Sequence, residues 1–418
     1  MTSVAYRASE KMSVVTVEEK LAMEGGEPVI KKKLPPCFPG ALFIDEKEEK
    51  SVLEVLRSKS LFRYYGPNPL FKVEKFEKAF AKYIGRKYCL GVTSGSASLY
   101  VAYKAAGIGQ GDRVLVPGYT WIATPQVAVC CGAKVVVVDI DESLNMSPEA
   151  LSEVLSEEDK LVVPVHMRGA PADIEEIVKI AKEKGVPVIE DVAQACGGSF
   201  KGKKLGSWGD MGCYSFQQNK NITAGEGGAV VTDNEELYKR AVAFHDVAAY
   251  YRKPGYIPPI PGLNFRMSEL TAAVLIEQLK KLDDIVARMK RAQKIIREAV
   301  EECSGLELRK LVDEKGDTGV CAVFFHKTDE KARLFTKALR AEGVPAGVLY
   351  SPEAKYEGHA WINWKPLIGD YMIVPKGMGE KTLDLLSRAV HISISPLYTE
   401  EDAELIGKAI KKVYKKIH

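Results

Sequence analysis

The sequence predicts an α/β fold, a mostly parallel seven-stranded sheet between helices, with a smaller C-terminal α+β domain. Two observations predict it. Between residues 88 and 232, short apolar runs alternate with stretches of helical periodicity. Buried apolar strands joined through helices make a parallel sheet covered on both faces. Beyond them, 268–302 carries Leu270, Ala273, Val274, Leu279, Leu282, Ile285, Ile295 and Ile296 at helical spacing, a length that usually bridges domains. A chain of 418 residues, 46% hydrophobic and 28% charged, can bury two cores and stay soluble.

Taken in order, residues 1–40 mix charged and small side chains and end in Leu34-Pro-Pro-Cys-Phe-Pro-Gly40. This reads as an arm draped over the body or a partner. Val52, Leu53, Val55 and Leu56 open a first helix from residue 46, and 62–69 is an aromatic loop broken by Gly66, Pro67 and Pro69. A helix follows at 73–84, with Phe76, Phe80 and Tyr83 on its apolar face. Strands are expected at 88–93, 113–116, 135–140, 161–166, 186–191, 212–216 and 229–232. Helices at 98–106, 123–129, 148–155 and 174–184 separate the first five. The large domain therefore spans 41–285. The small one, 286–418, holds strands at 320–326 and 347–350 and helices at 330–342, 381–390 and 400–416.

The 59 basic and 56 acidic residues leave a net charge of only +3, which argues against a nucleic-acid partner. Eight scattered cysteines show no CxxC or Cys/His spacing, so buried reduced thiols are expected and no metal. No stretch approaches the roughly 20 apolar residues of a membrane span, and the first forty lack a signal-peptide core. A cytoplasmic location is expected.

Chemistry concentrates at strand ends. Cys213-Tyr-Ser-Phe-Gln-Gln-Asn-Lys220 delivers the Ser215 hydroxyl and the Lys220 amine before the chain breaks into Gly225, Gly227 and Gly228. Upstream, Val186-Pro-Val-Ile-Glu-Asp191 ends in an acid, with Gln194 three residues on. A lysine able to form a Schiff base, with an acid to hold a pyridinium nitrogen, is the minimal apparatus for pyridoxal phosphate. A parallel sheet places its site beyond the carboxyl ends of its strands, which gathers 94–98, Asp191 and Lys220. Thr93-Ser-Gly-Ser-Ala-Ser98 follows a strand and opens a helix. It is either a plain helix cap or a phosphate cup, and Ser215 favours the cup. Trp121, after another strand, is either core or a ring that stacks on the cofactor.

These residues resemble the DegT/StrS family, fold-type I pyridoxal-phosphate aminotransferases acting on keto-sugars and keto-cyclitols. The markers run from about Phe43 to the C-terminus: Thr93-Ser-Gly-Ser-Ala97, Gly111-Asp-Arg-Val-Leu-Val-Pro117, Glu190-Asp-Val-Ala-Gln194, Gly209-Asp-Met-Gly-Cys-Tyr-Ser-Phe216, Lys220, Gly225-Glu-Gly-Gly-Ala229 and Gly262-Leu-Asn-Phe-Arg-Met-Ser-Glu269. The resemblance implies Lys220 as Schiff-base lysine and proton shuttle, Asp191 on the pyridine nitrogen and Gln194 at the phenolic oxygen. It implies Trp121 stacked on the ring, and Ser96, Ala97 and Ser215 at the phosphate. Asn264 would reach the phosphate of a neighbouring subunit, so a homodimer with shared sites is implied.

The implied reaction moves an amino group from glutamate or glutamine to a keto-sugar, keto-sugar acid or keto-inositol. Gln217-Gln218-Asn219 is similar to cyclitol aminotransferases, whereas Val165-His-Met-Arg-Gly169, Phe62-Arg-Tyr64 and the Trp361/Trp364 region are similar to enzymes acting on an eight-carbon ketosugar acid. Candidate acceptor residues are Arg63, Tyr64, Tyr65, His166, Arg168, Gln217 and Arg266, because a polyhydroxylated ring needs several polar partners. Two other readings compete. A sugar dehydratase of the same fold carries histidine in place of the lysine, which Lys220 disfavours. A non-enzymatic regulator has no reason to keep Lys220, Asp191, Gln194 and Ser215 together.

Overall fold

The computed structural model describes residues 20–353 and 358–417. Seven strands build the large sheet: β1 (Tyr88–Val92), β2 (Arg113–Pro117), β3 (Lys134–Val138), β4 (Asp159–Val162), β5 (Ile189–Asp191), β6 (Met211–Ser215) and β7 (Gly228–Thr232). Ladder pairings give β3-β2-β4 and β5-β6-β7-β1, and the parallel bridges Val162–Val188 and Val165–Asp191 join them edge to edge. The order is thus 3-2-4-5-6-7-1. Only β7 runs antiparallel to its neighbours. Val135 to Val138 are all fully buried, as a strand with helices on both faces requires.

Helix caps follow from local chemistry. In α1 (Glu46–Ser58) Asp45 Oδ1 accepts from Lys47 N at 2.8 Å, and Glu48 Oε2 accepts from Asp45 N at 3.0 Å. In α2 (Lys72–Ile84) Phe76 and Phe80 turn inward and meet Phe216, just past β6, edge-on with centroids 5.5 Å away. This aromatic knot fixes the stretch that leads to Lys220. Ser94 caps α3 (Gly95–Ala105) through Ala97 N at 3.0 Å.

The long helix Glu269–Glu301, capped by Ser268, packs Leu275 and Leu282 into the core of the large sheet and Ile285, Met289 and Ile296 into a second core. That second core lies under an antiparallel sheet of Glu307–Leu308, Cys321–Phe325, Ala389–Ser393 and Ala346–Val348, in that order. Two-residue Met372–Ile373 crosses back to pair in parallel with β3, an addition that periodicity does not reveal. The segment from residue 20 to 40 lies along this second unit. Glu342, fully buried, accepts from Ala22 N at 2.8 Å and Val29 N at 2.9 Å, and its Oε2 takes Lys412 Nζ at 3.0 Å. The stretch 1–19 of the expected arm lies outside the described residues.

Candidate active site

Asp191 ends β5 and Ser215 ends the adjacent β6, in parallel register with Asp191 opposite Cys213. Asp191 is buried. Its Oδ2 accepts from Thr124 Oγ1 at 2.8 Å and its Oδ1 from Ala193 N at 3.0 Å. Thr124 Oγ1 lies 2.9 Å from Thr120 Oγ1, which extends the chain of hydroxyls. Burial pushes the Asp191 carboxyl above its ordinary value, while those hydrogen bonds and the Lys220 charge oppose the rise. Burial likewise lowers the Lys220 amine, against the pull of Asp191. An acid and an amine within electrostatic reach of one another are both shifted towards their neutral forms, a pattern that clusters at functional sites.

Lys220 opens into a cavity of about 370 Å³ together with Arg168, Gln194, Asn219, Asn221 and His359. The turn Met167–Gly169 after β4 delivers Arg168, whose backbone is left-handed (φ 52°, ψ 37°). Several hydrogen bonds hold that turn. Arg168 Nε donates to Tyr119 Oη at 3.0 Å and Arg168 N to Gln194 Oε1 at 3.1 Å. Arg309, fully buried, donates to Met167 O at 2.9 Å, and Thr318 N to Gly169 O at 3.1 Å. A strained backbone held this way is a mark of positioning.

Next to it, a Cβ on Gly95 would lie 2.6 Å from Ser215 Cβ, so only glycine lets α3 begin this close to the end of β6. Ser96 is exposed there, and the Ser94 cap takes the Ala97 amide. The first-turn amides of Gly95 and Ser96 remain for an anion. Trp121 is 51% exposed, its ring 5.0 Å from that of His359. A buried acid, an adjacent amine, an anion cradle and an exposed indole together fit pyridoxal phosphate.

Several expected acceptor residues lie elsewhere. His166 is fully buried, 3.1 Å from Glu190 Oε2 through Nε2, and its Nδ1 accepts from Ala172 N at 3.1 Å. It joins β4 to β5 from beneath and does not face the cavity, a correction to its reading as an acceptor contact. Arg63 donates to Glu77 at 2.8 and 3.0 Å and to Gly91 O at 3.2 Å. Tyr64 Oη is 3.5 Å from His245 Nε2, and Arg266 NH1 is 2.6 Å from Asp246 Oδ1. These three form a cluster of their own, apart from the Lys220 cavity. The expectation that they select the acceptor there is corrected for this subunit, because none of the three lines that cavity. Tyr65 is 68% exposed, Asn264 is exposed, and Gln217 Oε1 accepts from Asn219 N at 2.9 Å within its own loop.

Pattern reading missed Thr124 and Tyr119. Thr124 lies one turn beyond Trp121, and a hydroxyl so placed after an aromatic at a strand end is the sign the sequence carries.

The fold and this site define a fold-type I pyridoxal-phosphate-dependent transferase. The sequence model of the DegT/DnrJ/EryC1/StrS aminotransferase family matches residues 43–411, and the chain belongs to that family. The "Uncharacterized protein MJ1066" of Methanocaldococcus jannaschii is 31% identical over 393 residues, 91% of this chain and 97% of that protein. An aminotransferase from Psychrobacter cryohalolentis superposes with a TM-score of 0.81 at 28% identity, covering 93% of this chain and all of the other. 3-Amino-5-hydroxybenzoic acid synthase does so at 0.79 and 27%, covering 92% and 100%. Among the described residues, no helix is long and apolar enough to cross a membrane, and no group of three or more His, Cys, Asp or Glu could hold a metal ion.

Proposed function

We propose that this aminotransferase moves an amino group from glutamate or glutamine to a ketone on a polyhydroxylated ring, a keto-sugar, keto-sugar acid or keto-inositol. The observation that carries the reading is the amine of Lys220, in the loop that follows β6, within electrostatic reach of the buried carboxylate of Asp191 at the end of the adjacent β5. Pyridoxal phosphate, when bound, supplies an electron sink that lets the α-proton of an amino acid be removed. Lys220 would hold it covalently and carry that proton. Asp191, fixed by Thr124 and Ala193, would keep the ring nitrogen protonated. Gln194 has its oxygen engaged by Arg168 N, so its Nε2 is the end that would donate to the phenolic oxygen. Trp121 would cover the ring. Gly95, Ser96 and Ser215 would take the phosphate, the Ala97 amide being held by the Ser94 cap, with Asn264 from a second subunit completing a homodimer.

Of the arginines considered, Arg168 alone lines the Lys220 cavity. A planar guanidinium suits a carboxylate, and the amino donor brings one. The ketone would follow into the same cavity, which the amides Asn219 and Asn221 also line. One arginine and these amides favour a neutral polyhydroxylated ring over a multiply charged one. Lys220, where the dehydratases of this fold have histidine, supports amino transfer over dehydration. A half-reaction screen tests the proposal. Glutamate or glutamine should change the absorbance of the cofactor-loaded enzyme, and a keto-inositol or keto-sugar should reverse it. No response to any amino donor would overturn the reading.

A further inference from the structure

The family match begins at residue 43, yet Cys37, Phe38 and Pro39 line the same cavity as Lys220. They are held there tightly. Gly40 N donates to Lys220 O at 3.0 Å. A Cβ on Gly40 would fall 2.7 Å from Ile222 Cα and 2.8 Å from Thr223 N, so the chain passes the lysine loop at a distance only glycine permits. Upstream, Ile30 N donates to Glu342 O at 3.0 Å and Lys32 pairs with Asp402 at 2.7 Å, which pins the segment to the second unit. This stretch is therefore anchored at both ends, and its Phe38 is 40% exposed with no core to fill.

We propose that the segment Cys37–Pro39 forms an acceptor-selecting wall, with the Phe38 ring as platform for the C–H face of the polyhydroxylated ketone. A ring ketone presents hydroxyls at its rim and C–H groups on its faces. The amides and Arg168 meet the first, and the cavity needs an apolar surface for the second. Amino donors such as glutamate are slender and offer no ring face, so the wall matters to the second half-reaction and not to the first. The wall lies just before residue 43, where the family model's match begins, and so adds to the cavity a surface that the family motifs do not supply. The inference rests on the aminotransferase reading above.

Phe38→Ala, Phe38→Leu and the wild type test it, each as cofactor-loaded enzyme. Glutamate and glutamine are titrated first, then scyllo-inosose and a nucleotide-linked 4-keto-6-deoxysugar against the amino-loaded form. Phe38→Ala should raise KM for the ketone by about tenfold, as loss of a buried apolar contact does, and leave the donor half-reaction within about twofold. Phe38→Leu should fall between. Phe38→Trp gives a second readout, its fluorescence quenched by the ketone and not by glutamate. A ketone KM unchanged in Phe38→Ala, or equal losses in both half-reactions, overturns the wall. The donor half-reaction of the wild type tests the aminotransferase reading separately.

Discussion

The side-chain oxygen of Gln194 accepts the backbone N–H of Arg168 at 3.1 Å. That one bond orients two parts of the site. It supports a left-handed residue, and it leaves the Gln194 amide with only its NH2 end to offer. Gln194→Glu can still accept from Arg168 N but cannot donate. We expect the fold to survive and turnover to drop by about a hundredfold, the usual cost of one preorganised donor. Steady-state rates and the absorbance maximum of the bound cofactor check this.

Lys220→Ala should end turnover and covalent attachment while the protein stays folded, since the side chain is half-buried at a cavity and not in the core. Borohydride treatment followed by mass measurement reads the attachment directly. A variant with undiminished turnover would remove Lys220 from the mechanism.

For Asp191 the sign of the linkage decides what happens without cofactor. Its folded pKa is raised, so between its unfolded and folded values the native state binds more protons, and stability falls as pH rises through that window. Above it, the buried charge is a standing cost. Asp191→Asn should therefore melt higher than wild type as cofactor-free protein at neutral pH, with the gap closing in acid. Its turnover should fall by orders of magnitude. Melting curves across pH, beside rates, separate the two effects, and equal melting at all pH values would count against the argument.

Much of this was legible in the sequence, and the limits have physical causes. Strand ends and motif residues in one chain segment, such as Asp191, Gln194, Ser215 and Lys220, announce themselves because the parallel fold brings strand ends together whatever the loops do. Side-chain direction is not so announced. His166 is the last residue of an expected strand and pairs with Glu190, while Arg168, two further, lines the cavity. A left-handed turn at Arg168 sets that difference, and no local pattern marks it. Arg63 was equally ambiguous, because its partner Glu77 belongs to a helix whose polar face reads as solvated. The pairing of Met372–Ile373 with β3 is two residues long and too short for periodicity.

A glycine provides a direct check of the anion cradle. Gly95→Ala would put a methyl 2.6 Å from Ser215 Cβ, pushing α3 away from the end of β6. Cofactor affinity should fall by about tenfold or more, with free pyridoxal phosphate titrated against cofactor-free protein.

Arg168 and Arg63 make the sharpest contrast, since both were candidates for the same task. Arg168 lines the Lys220 cavity, whereas Arg63 is bound to Glu77 with both side chains about one-tenth exposed or less. Truncating one partner of a buried ion pair leaves the other charge without compensation, a loss of about 3–5 kcal/mol. Arg63→Ala should therefore lower the midpoint of denaturant unfolding strongly and leave KM for glutamate near its wild-type value in the fraction that folds. Arg168→Ala should do the reverse, with little change in the midpoint and an increase in KM for glutamate of about tenfold or more, because a charged hydrogen bond to the carboxylate is lost. Arg168→Lys should restore part of that affinity but not all, since a point charge cannot present two parallel donors. If the two alanine variants instead shared one phenotype, the separation of the Arg63 cluster from the Lys220 cavity would have no functional meaning.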